Sequence, residues 1–493
     1  MQQKIVNTVK HSAIYSVTAV VSPFISIFLI PVYTRIFSPA AYGIMAGINM
    51  FTPIVSTLIN AAPQNAIARF YLDSQDTNDR KLTASVGLYQ IIFVALVLIL
   101  PLTLIFPQEI SELVLKDSQY TKYFIIALAT IFFTSFFNYG QDMMRFNFQS
   151  IRYSVISMVY TLTAVGLSIL LVVVLRMDIT GALTASLIAS AMFSFVIILM
   201  TRKYYSWSFS TTRLKEMLKY GLPLIPVGIL TYALTYTDRY FLINYRGLAD
   251  LGLYYVGLSL ANVPAILFSG FQVAWAPILW STYKDEDAKQ FYSKILDYSF
   301  ALAILAITAV SVFSREILVV ITTTEYLDAY KVVPWLAFSL LFTTVFSLFV
   351  PGVGIAKKTV HHIWRIAVVL VLNIALNFWL VPIYGMVGAA VATLISSAIS
   401  YIIYLIMSQR YYPMRYNFLS YFEITSVAVV ILFLWYYLFL DISWHNVLIK
   451  LGLMLLLLIS LFVFKTIGKT ELSFVKQVTV TYFKKLMSSK VFH

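Results

Sequence analysis

Fourteen apolar runs follow one another along this chain. Each is long enough to cross a hydrocarbon layer about 30 Å thick. They lie near 12–34, 41–62, 84–106, 120–140, 153–175 and 179–201, then near 218–243, 252–280, 292–314, 328–350, 363–383 and 385–408, with two more near 420–440 and 445–464. In lipid, every backbone N–H and C=O must be satisfied within its own segment, so these runs are predicted to be helices. A soluble fold fails on composition: 11% of the residues are charged and 60% hydrophobic, where a soluble domain carries about 25% charged residues. The first run has no small-residue cleavage site after it and reads as a retained span. The expected fold class is an all-α polytopic membrane protein of about fourteen transmembrane helices.

The net charge of +14 does not point to nucleic acid. The basic residues sit in short loops between apolar runs, not on a stripe or an aromatic-interleaved patch. Cysteine is absent, which excludes disulfides, thiol catalysis and Cys-based metal sites. With a cytoplasmic N-terminus, 26 of the 35 Lys and Arg fall inside and eight outside, Lys450 among the eight, while Arg239 lies within a span. The excess of Lys and Arg marks the cytoplasmic side, so both termini are expected there. Every outside loop is short. A membrane polymerase or glycosyltransferase needs a sizeable soluble loop for its chemistry, so a non-enzyme is expected.

The chain also repeats itself. "GALTASLIAS" at 181–190 and "GAAVATLISS" at 388–397 share six of ten residues at an offset of 207. Lys10 maps to Lys219 at an offset of 209, and Tyr42–Gly43 falls near the Gly252–Tyr254 stretch. Six spans per copy is an even number, so both copies enter the membrane in the same sense and form parallel repeats about an axis along the membrane normal. The expected organisation is a six-helix bundle at 1–208, a second at 209–414, two peripheral helices at 415–466 and a basic cytoplasmic tail at 467–493. The last span carries "LGLMLLLLISLFVF", apolar on every face, as expected of a lipid-facing helix.

Polar residues inside the spans locate a site. Thr231, Thr235 and Asp238 are spaced i, i+4, i+7, and Tyr232, Tyr236 and Arg239 repeat that spacing one residue on, which makes a broad polar stripe on span seven. A charge at the bilayer centre costs about 2.5–3.5 kcal/mol on insertion scales, so Asp238 and Arg239 either line a watery cavity or sit at the interface. Asp238 lies five residues before Ile243, roughly 7 Å at 1.5 Å per residue, within snorkelling reach. Asn60, Gln64, Asn65 and Arg69 close span two. Asn138, Gln141, Arg145 and Arg152 lie along 138–153, at and after the end of span four, and Asn373 and Asn377 follow Arg365 on span eleven. For Arg145, Arg152 and Arg365 the competing reading is the positive-inside loop. Other motifs fail: "GKT" at 468–470 has Val463 where a phosphate loop needs glycine, His361–His362 has no partner at metal spacing, and "GLSLA" at 257–261 lacks the second glycine of a nucleophile elbow.

The stretch "HSAIYSVTAVVSPFISIFLIPVYTRIFSPAAYGIM" at 11–45 resembles the opening of bacterial Wzx-type lipid-linked oligosaccharide flippases of the multidrug/oligosaccharidyl-lipid/polysaccharide superfamily. The likeness continues through "NAIARFY" at 65–71, "TDRYFLINYRGLADLGLYYVG" at 237–257 and "GIAKKT" at 354–359. The resemblance implies that the chain flips an undecaprenyl-pyrophosphate-linked glycan, such as an O-antigen repeat unit of lipopolysaccharide, from the cytoplasmic to the periplasmic leaflet of the inner membrane. It implies alternating access through a cationic central cavity, with polymerase and chain-length proteins of the same pathway as partners. Arg35, Arg69, Arg145, Arg152, Arg239, Arg365, Asn65 and Asn373 are the substrate-binding candidates, since arginine's fork suits a pyrophosphate. Spans thirteen and fourteen are candidates for a groove holding the polyprenyl tail. A dianion leaving a negative-inside cell gains roughly 4–5 kcal/mol per 100 mV, so no cofactor is needed and proton or sodium coupling stays open, with Asp238 as the candidate. Two rivals remain: a peptidoglycan-precursor flippase, and a drug/cation antiporter, which would want an acidic cavity.

Overall fold

The computed structural model describes residues 2–74, 76–356, 360–438, 442–464 and 466, without the side chains of 2–13, 61–63, 65, 274, 276, 277, 360 and 361. The predicted tail at 467–493 therefore lies outside the described residues. Those described are helical, with no strand among them. The first half runs through α1 (Gln2–Ile27), α2 (Leu29–Ile36), α3 (Pro39–Asp73), α4 (Thr77–Leu104), α5 (Pro107–Leu115), α6 (Thr121–Phe146), α7 (Ser150–Ile169) and α8 (Asp178–Thr201). The second runs through α9 (Thr211–Gly221), α10 (Ile225–Tyr245), α11 (Leu248–Ala261), α12 (Val263–Thr282), α13 (Ala288–Val312), α14 (Ser314–Ile321), α15 (Val333–Leu340), α16 (Gly352–Ile355) and α17 (Val360–Tyr411). Two further helices, α18 (Phe418–Leu438) and α19 (Trp444–Val463), close the chain.

Among the described residues, twelve helical stretches are long and apolar enough to cross a membrane, or thirteen with the pair bent by 49° at Asn262 taken as one span. The longest holds a break at Gly385, whose φ of 55° and ψ of −133° lie outside helical space. Divided there, it supplies the two crossings expected at 363–383 and 385–408. The break frees carbonyls, and Arg246 caps them with hydrogen bonds to Pro382 O (2.7 Å) and Ile383 O (3.1 Å). Buried C=O groups need such partners.

The halves meet along α3 against α11 and α1 against α12. A Cβ on Gly43 would collide with the Leu248 carbonyl, and one on Gly252 with the Pro39 carbonyl. These reciprocal contacts join positions at the offset of 209 found in the sequence, and only glycine lets two backbones approach so closely. Toward the expected external face, Tyr326 Oη donates to Phe37 O (2.8 Å) and Thr34 Oγ1 to Ile321 O (3.3 Å). At the opposite end, Arg213 of α9 pairs with Asp79, and Tyr220 packs edge-on against Phe70.

Lys450 corrects the sequence reading. It is not an external loop residue but lies in α19, fully buried, its ammonium donating to Glu316 of α14. The fourteenth span is thus not apolar on every face. Besides Asp238, two further acids lie in spanning helices: Asp297 of α13 accepts from Tyr421 Oη (2.5 Å), and Asp142 of α6 is buried. Both C-terminal helices pack on α13.

Candidate functional site

The polar residues divide among three cavities, two in the first half and one in the second. In the first half, a cavity of about 480 Å³ lies between α3 and α6, lined by Gln64, Ala68 and Leu72 on one side and Asp142, Arg145 and Phe146 on the other. A second, of about 420 Å³, lies among α1, α6 and α7, with Val273 of α12 at its rim. Arg145 lines both. Its guanidinium pairs with the buried Asp142 three residues back, yet 52% of its side chain stays exposed. A charge-assisted pair with one partner accessible holds a cation in place while leaving donors for a ligand.

The spacing of α6 explains the geometry. Thr134, Asn138, Gln141 and Arg145 recur at i, i+4, i+7 and i+11 and all face the second cavity. Tyr153, Ser157 and Tyr160 of α7 do the same, as do Tyr15, Thr18 and Ser22 of α1.

In the second half, a cavity of about 280 Å³ lies among α10, α11, α15 and α17. Asp238 is 5% and Arg239 6% exposed. Neither snorkels: both are buried within the second half and line this cavity. The Asp238 carboxylate accepts from Tyr254 Oη, from Thr393 Oγ1 (3.5 Å) and from the Arg239 backbone N–H (2.7 Å). Arg239 donates to Thr235 O (3.0 Å) and covers the Tyr236 ring at 4.4 Å. Its Nε is buried without a partner among the described residues. Asn373 Nδ2 donates to Ser396 Oγ (3.0 Å), and Asn377 Nδ2 to Asn373 Oδ1 (3.1 Å). Arg365 joins the edge of this network by donating to Ser400 and lies over the Tyr404 ring at 5.0 Å.

The remaining candidates stand apart. Arg35 and Arg152 are exposed. Arg69, with 56% of its side chain exposed, lies over Tyr220 at 4.8 Å and 3.9 Å from Asp73. The Asn65 side chain lies outside the described residues. Sequence reading missed Tyr254, Thr393, Ser396 and Ser400. Thr393 and Ser396 lie inside the repeated text, where small residues read as helix packing, and Ser400 follows it; their spacing of i, i+3 and i+7 was the available signal.

An apolar groove of about 450 Å³ runs between α15, α17 and α18, past Trp335, Phe338, Leu394, Val429 and Phe433. Lys331 stands at one end, and its bond to Asp328 (2.8 Å) holds the ammonium pKa above its ordinary value. Of the two helices expected to form a groove, α18 lines this one and α19 does not.

A profile of polysaccharide biosynthesis proteins matches residues 32–331. Among solved structures, the lipid II flippase MurJ in an inward closed conformation superposes with a TM-score of 0.73 at 17% identity, over 91% of this chain and 97% of that one. An inward-facing multidrug resistance MATE family transporter of the MOP superfamily gives 0.65 at 14% identity, over 80% and 97%. An outward-facing MATE family transporter gives 0.53 at 16%, over 82% and 95%. No curated protein matches the sequence.

Proposed function

Because this chain belongs to the family of polysaccharide biosynthesis proteins and is a multi-pass membrane protein, we propose that it flips an undecaprenyl-pyrophosphate-linked oligosaccharide from the cytoplasmic to the periplasmic leaflet of the bacterial inner membrane. The observation that carries this reading is Arg145, an accessible guanidinium at the junction of two polar cavities. A pyrophosphate needs such a donor in low dielectric. The glycan extends into the polar cavities, and the apolar groove beside α18 takes the prenyl chain, which leaves one apolar surrounding for another at little cost.

The halves then divide the labour. Residues 1–208 hold the substrate, residues 209–414 hold the Asp238 network, and 415–466 serve the lipid side. Both termini stay cytoplasmic. The Asp238 carboxylate, ringed by Tyr254, Thr393 and the nearby Asn373, is the group that would couple flipping to a proton or sodium gradient. The glycan delivered outside is then available to the polymerase and chain-length proteins of the pathway. Arg35 and Arg152, both exposed, serve as charge anchors, and Arg69 contributes at the cavity entrance.

The test is reconstitution of the full chain in liposomes holding a fluorescent undecaprenyl-pyrophosphoryl glycan, with leaflet exposure read by an added, impermeant glycan-modifying enzyme. The wild type equilibrates the lipid between leaflets. Arg145→Ala slows this about 10–100-fold, the value of a hydrogen bond to a charged group. Transfer of lipid II alone, or equal rates for both proteins, overturns the proposal.

A further inference from the structure

The cavity among α1, α6 and α7 carries more polar groups than a phosphate would use. Polar residues between membrane helices ordinarily bond to one another and hold the helices together. Some here do: Gln141 Nε2 donates to Ser157 Oγ (2.7 Å), and Thr18 Oγ1 to Ser154 Oγ (2.5 Å). Others do not. Tyr15 Oη and Ser22 Oγ are shielded from bulk solvent and have no hydrogen-bond partner among the described residues. The Asn138 amide lines the same cavity, one helical turn from Gln141. Unpaired buried hydroxyls are costly, so a site that keeps them is built for a ligand that satisfies them. At about 420 Å³ the cavity falls within the range of roughly 300–1,000 Å³ usual for ligand sites.

The ligand chemistry follows from what is present. Amide and hydroxyl groups supply donors and acceptors in alternation, matching a molecule that offers both, as a sugar hydroxyl does. Tyr15, Tyr153 and Tyr160 line the cavity, and Arg145 is the charged residue among its lining. A purely anionic ligand would engage the hydroxyl and N–H donors but leave the Asn138 and Gln141 carbonyl oxygens without a donor, and a purely apolar one would leave all of these groups unpaired. We infer that this cavity binds a pyranose ring of the carried glycan, with Asn138, Gln141 and Tyr15 as its specificity-determining contacts and the phosphate on Arg145. The inference rests on the flippase reading above. It adds that the first half discriminates between sugars rather than holding the carrier phosphate alone.

The test measures binding to the purified full chain in lipid nanodiscs. The probes are undecaprenyl pyrophosphate and the same carrier bearing glucose, galactose, N-acetylglucosamine or N-acetylgalactosamine. At least one sugar-bearing probe is expected to bind about tenfold more tightly than the bare carrier, the contribution of two ordinary hydrogen bonds. Asn138→Leu with Gln141→Leu removes that gain and leaves affinity for the bare carrier unchanged, which also shows that the variant is folded. Asn138→Asp as a single, less disruptive change reorders the sugar preference. Equal binding of all five probes, or a gain that survives the double variant, overturns the sugar site while leaving the flippase reading intact. Failure of every probe, bare carrier included, overturns that reading as well.

Discussion

The two halves of this protein share a helix plan but not a chemistry. The first half keeps an accessible arginine beside amides and the Tyr15 and Ser22 hydroxyls, which lack partners among the described residues. The second keeps an acid and an arginine nearly sealed, with the acid's oxygens bonded to Tyr254, Thr393 and backbone. At the offset of 209, Asp238 corresponds to Leu29 and Arg239 to Ile30, so the charges belong to one copy only. Duplication supplied the frame. The first half carries an exposed cation, and the second a buried pair whose acid is bonded on both oxygens while Arg239 Nε has no partner among the described residues. An exposed cation exchanges ligands readily, whereas a buried acid held by several hydrogen bonds keeps one arrangement until an ion or proton changes it.

The sharpest way to break this contrast is to neutralise the closed network. Asp238→Asn keeps the shape but removes the charge. It is expected to slow gradient-driven flipping at least tenfold in liposomes while leaving carrier affinity within about twofold, since the first half is untouched and distant sites act independently. Lost affinity together with lost rate would show that both halves grip the substrate.

Accessibility sharpens the same contrast. The chain has no native cysteine, so single variants report directly. Asn138→Cys and Arg145→Cys are expected to react with a charged maleimide several-fold faster than Asp238→Cys or Asn373→Cys. On α10, Thr235→Cys, which starts from an exposed position, is expected to outpace Asp238→Cys and Arg239→Cys, and Leu457→Cys in α19 to stay unlabelled. Equal rates in both halves would mean that the second cavity is as open as the first.

The smallest effect belongs to Arg69. Half-exposed, and held only by a ring face and a distant carboxylate, it contributes at most about 1 kcal/mol. Arg69→Ala is expected to lower glycan export about two- to fivefold at low expression with protein abundance unchanged. A loss equal to that of Arg145→Ala would place the substrate phosphate at α3 rather than α6.

Sequence by itself determined the solvent, the spans and the repeat, because apolar run length and glycine spacing are local and periodic. It also picked Asp238, Arg239 and Asn373, because a polar residue inside a membrane span is conspicuous wherever the chain goes, and it named Arg145, at the end of span four, against a positive-inside loop reading. Which of them meet was another matter. Asp238 finds Tyr254 sixteen residues on and Thr393 a further distance away, at a separation of 155. Lys450 finds Glu316 across 134 residues, and that pairing turned a presumed loop charge into a buried strut. A helix's own periodicity says which face a side chain takes, but not which helix covers that face. Only the packing of α10 on α17, and of α6 beside α1 and α7, decided that one polar set would be sealed and the other left open.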